Sequence, residues 1–62
     1  MTIRVVLNQK CSPCVEFKDV AGIIELSTGF QIIFTTKSWY YKQFNKLTCI
    51  YKSEDVKHIK VL

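Results

Sequence analysis

Cys11-Ser12-Pro13-Cys14 carries two thiols at the spacing that lets a pair grip one metal ion or close one disulfide. With Cys49 and His58 the chain supplies three thiols and an imidazole, the ligand set of a closed tetrahedral zinc site. A second Cys-x-x-Cys knuckle, which would make the zinc reading strong, is absent. Strand parity then divides the four ligands. Cys49 shares a side with Leu47 and Tyr51, whereas His58 lies opposite Ile59 and Val61. With both apolar sets facing the core, Cys49 is inside and His58 outside unless a bulge intervenes. The expectation is therefore no metal and no cofactor: two loop cysteines and one small buried hydrophobe. A zinc-stapled interaction module using Cys11 and Cys14, its site completed across a dimer, is the second alternative.

The Cys-x-Pro-Cys stretch resembles the active site of the thioredoxin-like family, over four residues only. That resemblance implies thiol–disulfide exchange, with the first cysteine at a helix N-terminus that stabilises its thiolate. Here a strand pattern follows Cys14, and Pro13 is the chain's one proline, so the family's second proline has no counterpart. His58 has no base or nucleophile to pair with, the carboxylates are scattered, and there is no glycine-rich phosphate loop. These absences make a non-enzymatic protein the expectation, with no small-molecule substrate indicated.

Trp39, Tyr40, Tyr41, Phe44 and Tyr51 are five of the eight aromatic residues, and Lys37, Lys42, Lys46 and Lys52 are interleaved with them. If residues 37–44 form a strand, Trp39 and Tyr41 point one way and Tyr40 the other, so at least one large ring faces away from the core. Exposed rings among lysines anchor protein partners, since Trp and Tyr are frequent hot-spot residues. They can also stack the bases of a single strand whose phosphates the ammonium groups hold. The bland reading is that the rings complete a small core and the lysines solubilise the surface. Trp39, Tyr40, Lys42 and Lys46 are the binding candidates. The leading function is a binding or accessory module making protein contacts, self-association as a homodimer included; single-stranded nucleic-acid binding is the alternative.

Charge points to the same segment. Residues 1–36 balance three basic against three acidic side chains, whereas residues 37–62 hold six lysines against two, so the whole net charge of +4 lies there. Such asymmetry favours an acidic partner.

The elements that must position these residues read as short strands. Ile3 to Leu7 alternates, with Ile3, Val5 and Leu7 on one face and Arg4 and Val6 on the other. After a polar loop from Asn8 to Pro13, Val15 to Lys18 alternates with Val15 and Phe17 inward. Two apolar runs flank Ser27-Thr28-Gly29, the pattern of a hairpin with a left-handed residue in a three-residue loop. That loop sets Leu26 opposite Phe30 and Ile24 opposite Ile32, with Ile24, Leu26, Phe30, Ile32 and Phe34 on the core face. Gly22 falls opposite Phe34, a place for a bend with the ring over bare backbone. Residues 37–44 suit a strand by propensity, or a short helix capped by Ser38 with Tyr40, Tyr41 and Phe44 on one side. Asn45-Lys46 is a turn, Leu47 to Tyr51 a strand, Ser53-Glu54-Asp55 a turn or one helical turn, and His58 to Leu62 a final strand.

The fold class expected is mainly β: one domain over 1–62, a small antiparallel barrel or strongly curled meander of five to six short strands, SH3-like or related. Sixty-two residues bury only about 60% of the unfolded chain's surface, so stability is thin. Apolar residues at 48% and charged at 23% place the chain among globular proteins. The apolar stretch at the N-terminus is interrupted by Arg4 and too short for a secretory or membrane segment. Three cysteines, an odd number, suit a reducing compartment, so a cytoplasmic location with no membrane partner is expected.

Overall fold

A computed structural model describes residues 1–62 as six strands, one short α-helix and one 3₁₀ turn. In chain order they are β1 (Ile3–Leu7), β2 (Cys14–Phe17), β3 (Val20–Leu26), β4 (Gly29–Phe34), α1 (Trp39–Phe44), β5 (Thr48–Lys52), the 3₁₀ turn Ser53–Asp55 and β6 (Val56–Val61). The strands form two three-stranded antiparallel sheets, ordered β2-β1-β6 and β3-β4-β5. The chain is mainly β as expected, but the sheets do not close into one barrel. They are joined where the Met1 ammonium donates to the Val20 carbonyl at 2.8 Å and the Val20 N–H donates to Met1 at 2.9 Å.

In the first sheet the alternation in the sequence maps onto burial from Ile3 to Val5, but Val6, expected on the outer face with Arg4, is buried as well. Ile3 and Val5 are fully buried, flanked by Phe17 and Val61 and by Val15 and Ile59 respectively. Arg4 lies on the opposite face beside Glu16, its guanidinium 3.5 Å from the carboxylate. The register of β1 against β6 shifts between Val6 and Leu7, where β6 carries the extra residue Lys57, and Leu7 packs against the core on the side of Ile3 and Val5.

The second sheet departs from the expected register. Leu26 pairs with Gly29, so the loop is the two residues Ser27-Thr28, and Ile23 rather than Ile24 faces Ile32. No glycine takes a positive φ and neither turn residue does, so the left-handed turn glycine is not present. Gly29 has a different reason to lack a side chain: a Cβ there would collide with the Tyr51 carbonyl oxygen on β5. The one-residue slip turns the β3 side chains over. Ile23 packs against the core, while Ile24 and Leu26 stand on the outer face, 45% and 36% exposed. A bend near Gly22 does occur, as a register shift between Val20 and Gly22, but Gly22 pairs with Ile33 and no ring covers it. The core is consequently small: Ile3, Val5, Val20, Ile32, Phe34 and Val56, with half-buried Phe17, Ile23, Phe30, Tyr40, Tyr51 and Ile59 around them.

Candidate interaction surface

Residues 39–44 are a helix, which settles the choice that propensity left open. Ser38 is the reason it starts there. Its backbone is extended, and its hydroxyl accepts the Tyr40 N–H at 3.1 Å, satisfying one of the donors that a helix start leaves free. The Ser38 carbonyl accepts the Lys42 N–H at 3.1 Å. Asn45 ends the helix in the left-handed conformation, φ 51°, with its N–H donating to the Tyr41 carbonyl at 2.7 Å.

That cap fixes which rings go in and which go out. Tyr40 lies stacked on Phe34, centroids 4.4 Å apart, and Phe17 meets both rings edge-on. Phe44 tilts against Tyr40 at 5.0 Å, and Trp39 meets Phe44 edge-on at 6.3 Å. The rings form a continuous series from the core to the surface, ending at Trp39, which is 63% exposed, and Phe44, 56% exposed. Lys42, three residues after Trp39, shares its side of the helix; Lys46 follows the cap, and both are exposed. Neither forms a salt bridge, because the chain's one ion pair is Arg4–Glu16.

Three of the four candidate residues thus lie on the surface, and the fourth belongs largely to the core. Tyr40 is half-buried under the helix with Tyr51 and Cys49 as neighbours. Burial pushes both phenols above their usual range, and the nearby Cys49 thiol pushes them the same way. The helical alternative groups Phe44 with Tyr40 and Tyr41 on one side; the exposure of Phe44 makes it part of the outer patch. The sequence carried no signal for that exposure, since residues 40 and 44 share a helix face and Tyr40 turns inward.

The cysteine set separates as parity indicated. Cys49 is half-buried on the core side of β5, and His58 is exposed on β6. Cys11 and Cys14 are both exposed and free. Their loop turns through Cys11 and Ser12 at φ 70° and 43°, closed by a Ser12 N–H to Gln9 carbonyl bond of 2.9 Å. Cys14 and His58 flank Val6 on the outer face of the first sheet, on opposite sides of β1. No three His, Cys, Asp or Glu side chains are grouped to hold an ion, so the four-ligand zinc set does not assemble within one chain.

An open depression of about 600 Å³ lies at the Ser27–Thr28 end of the second sheet, and Ile50 is its one apolar lining residue. No helix is long and apolar enough to cross a membrane. The chain matches no protein family model, no curated protein and no solved structure.

Proposed function

We propose that this protein is a non-enzymatic binding module that contacts a protein partner through the aromatic end of α1. The observation that carries the reading is Trp39: a 63% exposed indole, braced edge-on by Phe44, with the unpaired Lys42 on the same side of the helix. A ring held by other rings loses little freedom on binding, which makes it an efficient anchor. The partner that fits presents an apolar notch with carboxylates at its rim. Lys42 and Lys46 then raise the association rate more than the final affinity. The element order supports an open relative of the SH3-like small barrels: a three-strand meander, a 3₁₀ turn, and a last strand returning to the first.

Affinity capture with the intact protein beside its Trp39→Ala variant tests this. Proteins retained by the first and lost from the second support the proposal, and identical captures from both refute it. The nucleic-acid alternative is supported by the same rings and lysines, and predicts oligonucleotide binding that weakens as salt rises. Fluorescence anisotropy unchanged by labelled single strands at low salt removes it. A zinc-stapled module through Cys11 and Cys14 is a third reading, with ligands from a second copy; native mass spectrometry showing only metal-free protein after zinc addition counts against it.

A further inference from the structure

The loop between β1 and β2 carries the chain's two exposed thiols, and it is held firmly only at its base. Cys14 opens β2 in register with Val6, and the Leu7 N–H donates to the Pro13 carbonyl at 2.8 Å just before it. Asn8 is tied to the 3₁₀ turn: its N–H donates to the Asp55 carbonyl at 2.9 Å and its carboxamide to the Glu54 carbonyl at 3.2 Å. Between these anchors the one backbone bond is Ser12 N–H to Gln9 carbonyl, at 2.9 Å.

Cys11 and Ser12 both take the left-handed conformation, at φ 70° and 43°, which is sparsely populated for residues with a Cβ. Two in succession make this the part of the loop with most to gain from rearranging. The Cys14 thiol is turned back toward it, its S–H donating to the Ser12 carbonyl at 3.7 Å. From this we propose that Cys11 and Cys14 are a site of reversible oxidation, closing into a disulfide within the loop. A disulfide needs Cα atoms within about 7 Å of each other. Cys14 is fixed by the ladder, so the Cys11–Ser12 turn, leaving its left-handed conformation, supplies the movement. The bond then clasps that turn to the start of β2.

The oxidant is a small disulfide such as oxidised glutathione. One cysteine thiolate attacks it, forming a mixed disulfide and expelling one glutathione thiolate. The other cysteine attacks the protein sulfur of that mixed disulfide and expels the second. Two electrons pass from the pair to the oxidant, and the two thiol protons end on the two glutathione molecules released. Oxidised glutathione is anionic, and Lys10 beside Cys11 is the loop's one charged group, so encounter is favoured. With two residues between them, each thiol meets the other at far higher effective concentration than it meets a second copy. Cys49 stands apart, half-buried on the core side of β5. Both loop sulfurs are exposed, so the bond is as open to reduction as to formation and follows the redox state around it.

The test treats the folded, intact chain with excess oxidised glutathione under a metal chelator, quenches it in acid and reads it by mass spectrometry. The expected product is a monomer that has lost two hydrogens, retains no glutathione and gives a peptide with Cys11 joined to Cys14. Dithiothreitol should restore the starting mass. Alkylation of the unfolded product should label Cys49 alone. Cys11→Ser and Cys14→Ser should each stop at an adduct with one glutathione on the remaining loop cysteine, while Cys49→Ser closes as the parent does. The parent's own product decides the matter should a variant fail to fold, which circular dichroism checks. Thiols that stay unreacted overturn the proposal. So do glutathione retained on Cys11 and Cys14, a bond from either to Cys49, or chains linked to one another in place of the closed loop.

Discussion

Gly29 is required by a close approach of strands, and its φ is one that any residue adopts. A methyl group there meets the β5 backbone, which cannot rotate out of the way as a side chain can. Gly29→Ala should therefore cost about 1–3 kcal/mol in urea denaturation, the range for overpacking. Gly22, with nothing near its missing Cβ, gives the contrast: alanine there meets no such obstacle. Tyr51 makes a prediction about pH. Burial and the Cys49 thiol raise its phenol, so the folded state resists ionisation that the unfolded chain allows near pH 10. Its stabilisation is complete below that unfolded value and declines as pH rises through the higher folded one. Tyr51→Phe removes this source of alkaline sensitivity. Melting temperatures measured from pH 8 to about 11 should fall less steeply for the variant than for the parent.

Helix α1 depends on one hydroxyl and one inward ring. Ser38→Ala removes the cap at a buried position and should cost about 1 kcal/mol by chemical denaturation. Tyr40→Ala takes away the ring stacked on Phe34 and should cost about 3 kcal/mol or more. Trp39→Ala removes a larger ring from an exposed site and loses mainly its edge contact with Phe44, about 0.5–1.5 kcal/mol. That inversion, with the larger ring mattering less, separates core from surface. It also marks where the sequence was legible. The inward face of β1 could be read, because Arg4 interrupts an otherwise apolar run and fixes its parity, although Val6 on the outer face is buried too. The central hairpin could not, because the doublets Ile23-Ile24 and Ile32-Ile33 put isoleucine opposite isoleucine in either of two registers. The choice between them fell to the turn and to β5 pressing on Gly29, a contact between residues far apart in sequence. Helix and strand competed for residues 37–44 because the rings favour a strand, while Ser38 and Asn45 favour a capped turn. The caps prevailed once Tyr40 had Phe34 to stack on. The Cys49–His58 separation was legible because it needed only strand parity.

At the scale of the molecule, burial is scarce. Nine of 62 residues are buried and 4433 Å² is exposed, above the roughly 4,100 Å² expected for a folded chain of 7.2 kDa. The excess reflects nine large apolar side chains left open: Leu47 before β5, and eight at the aromatic end of α1, the outer face of the second sheet and the chain ends. A domain of this length has about 3–9 kcal/mol of stability. Ile32→Ala empties a fully buried site shared by β3, β4 and β5 and should cost about 2–5 kcal/mol. The variant should therefore lose its cooperative thermal transition or melt far below the parent, whereas Ile50→Ala, on the outer face, should stay close to it.

The pairing of β1 with β6 has a mechanical consequence. Ile3 faces Val61, and the Leu62 N–H donates to Thr2 at 2.9 Å, so tension applied at the two ends enters at one end of this ladder. It peels the strands apart one bond after another, whatever chain extends beyond them. Tethers at Thr2 and Lys57 would instead load the whole ladder together, in shear. Stretched by its ends the protein should yield at low force, and stretched between those two points it should hold against a much higher one.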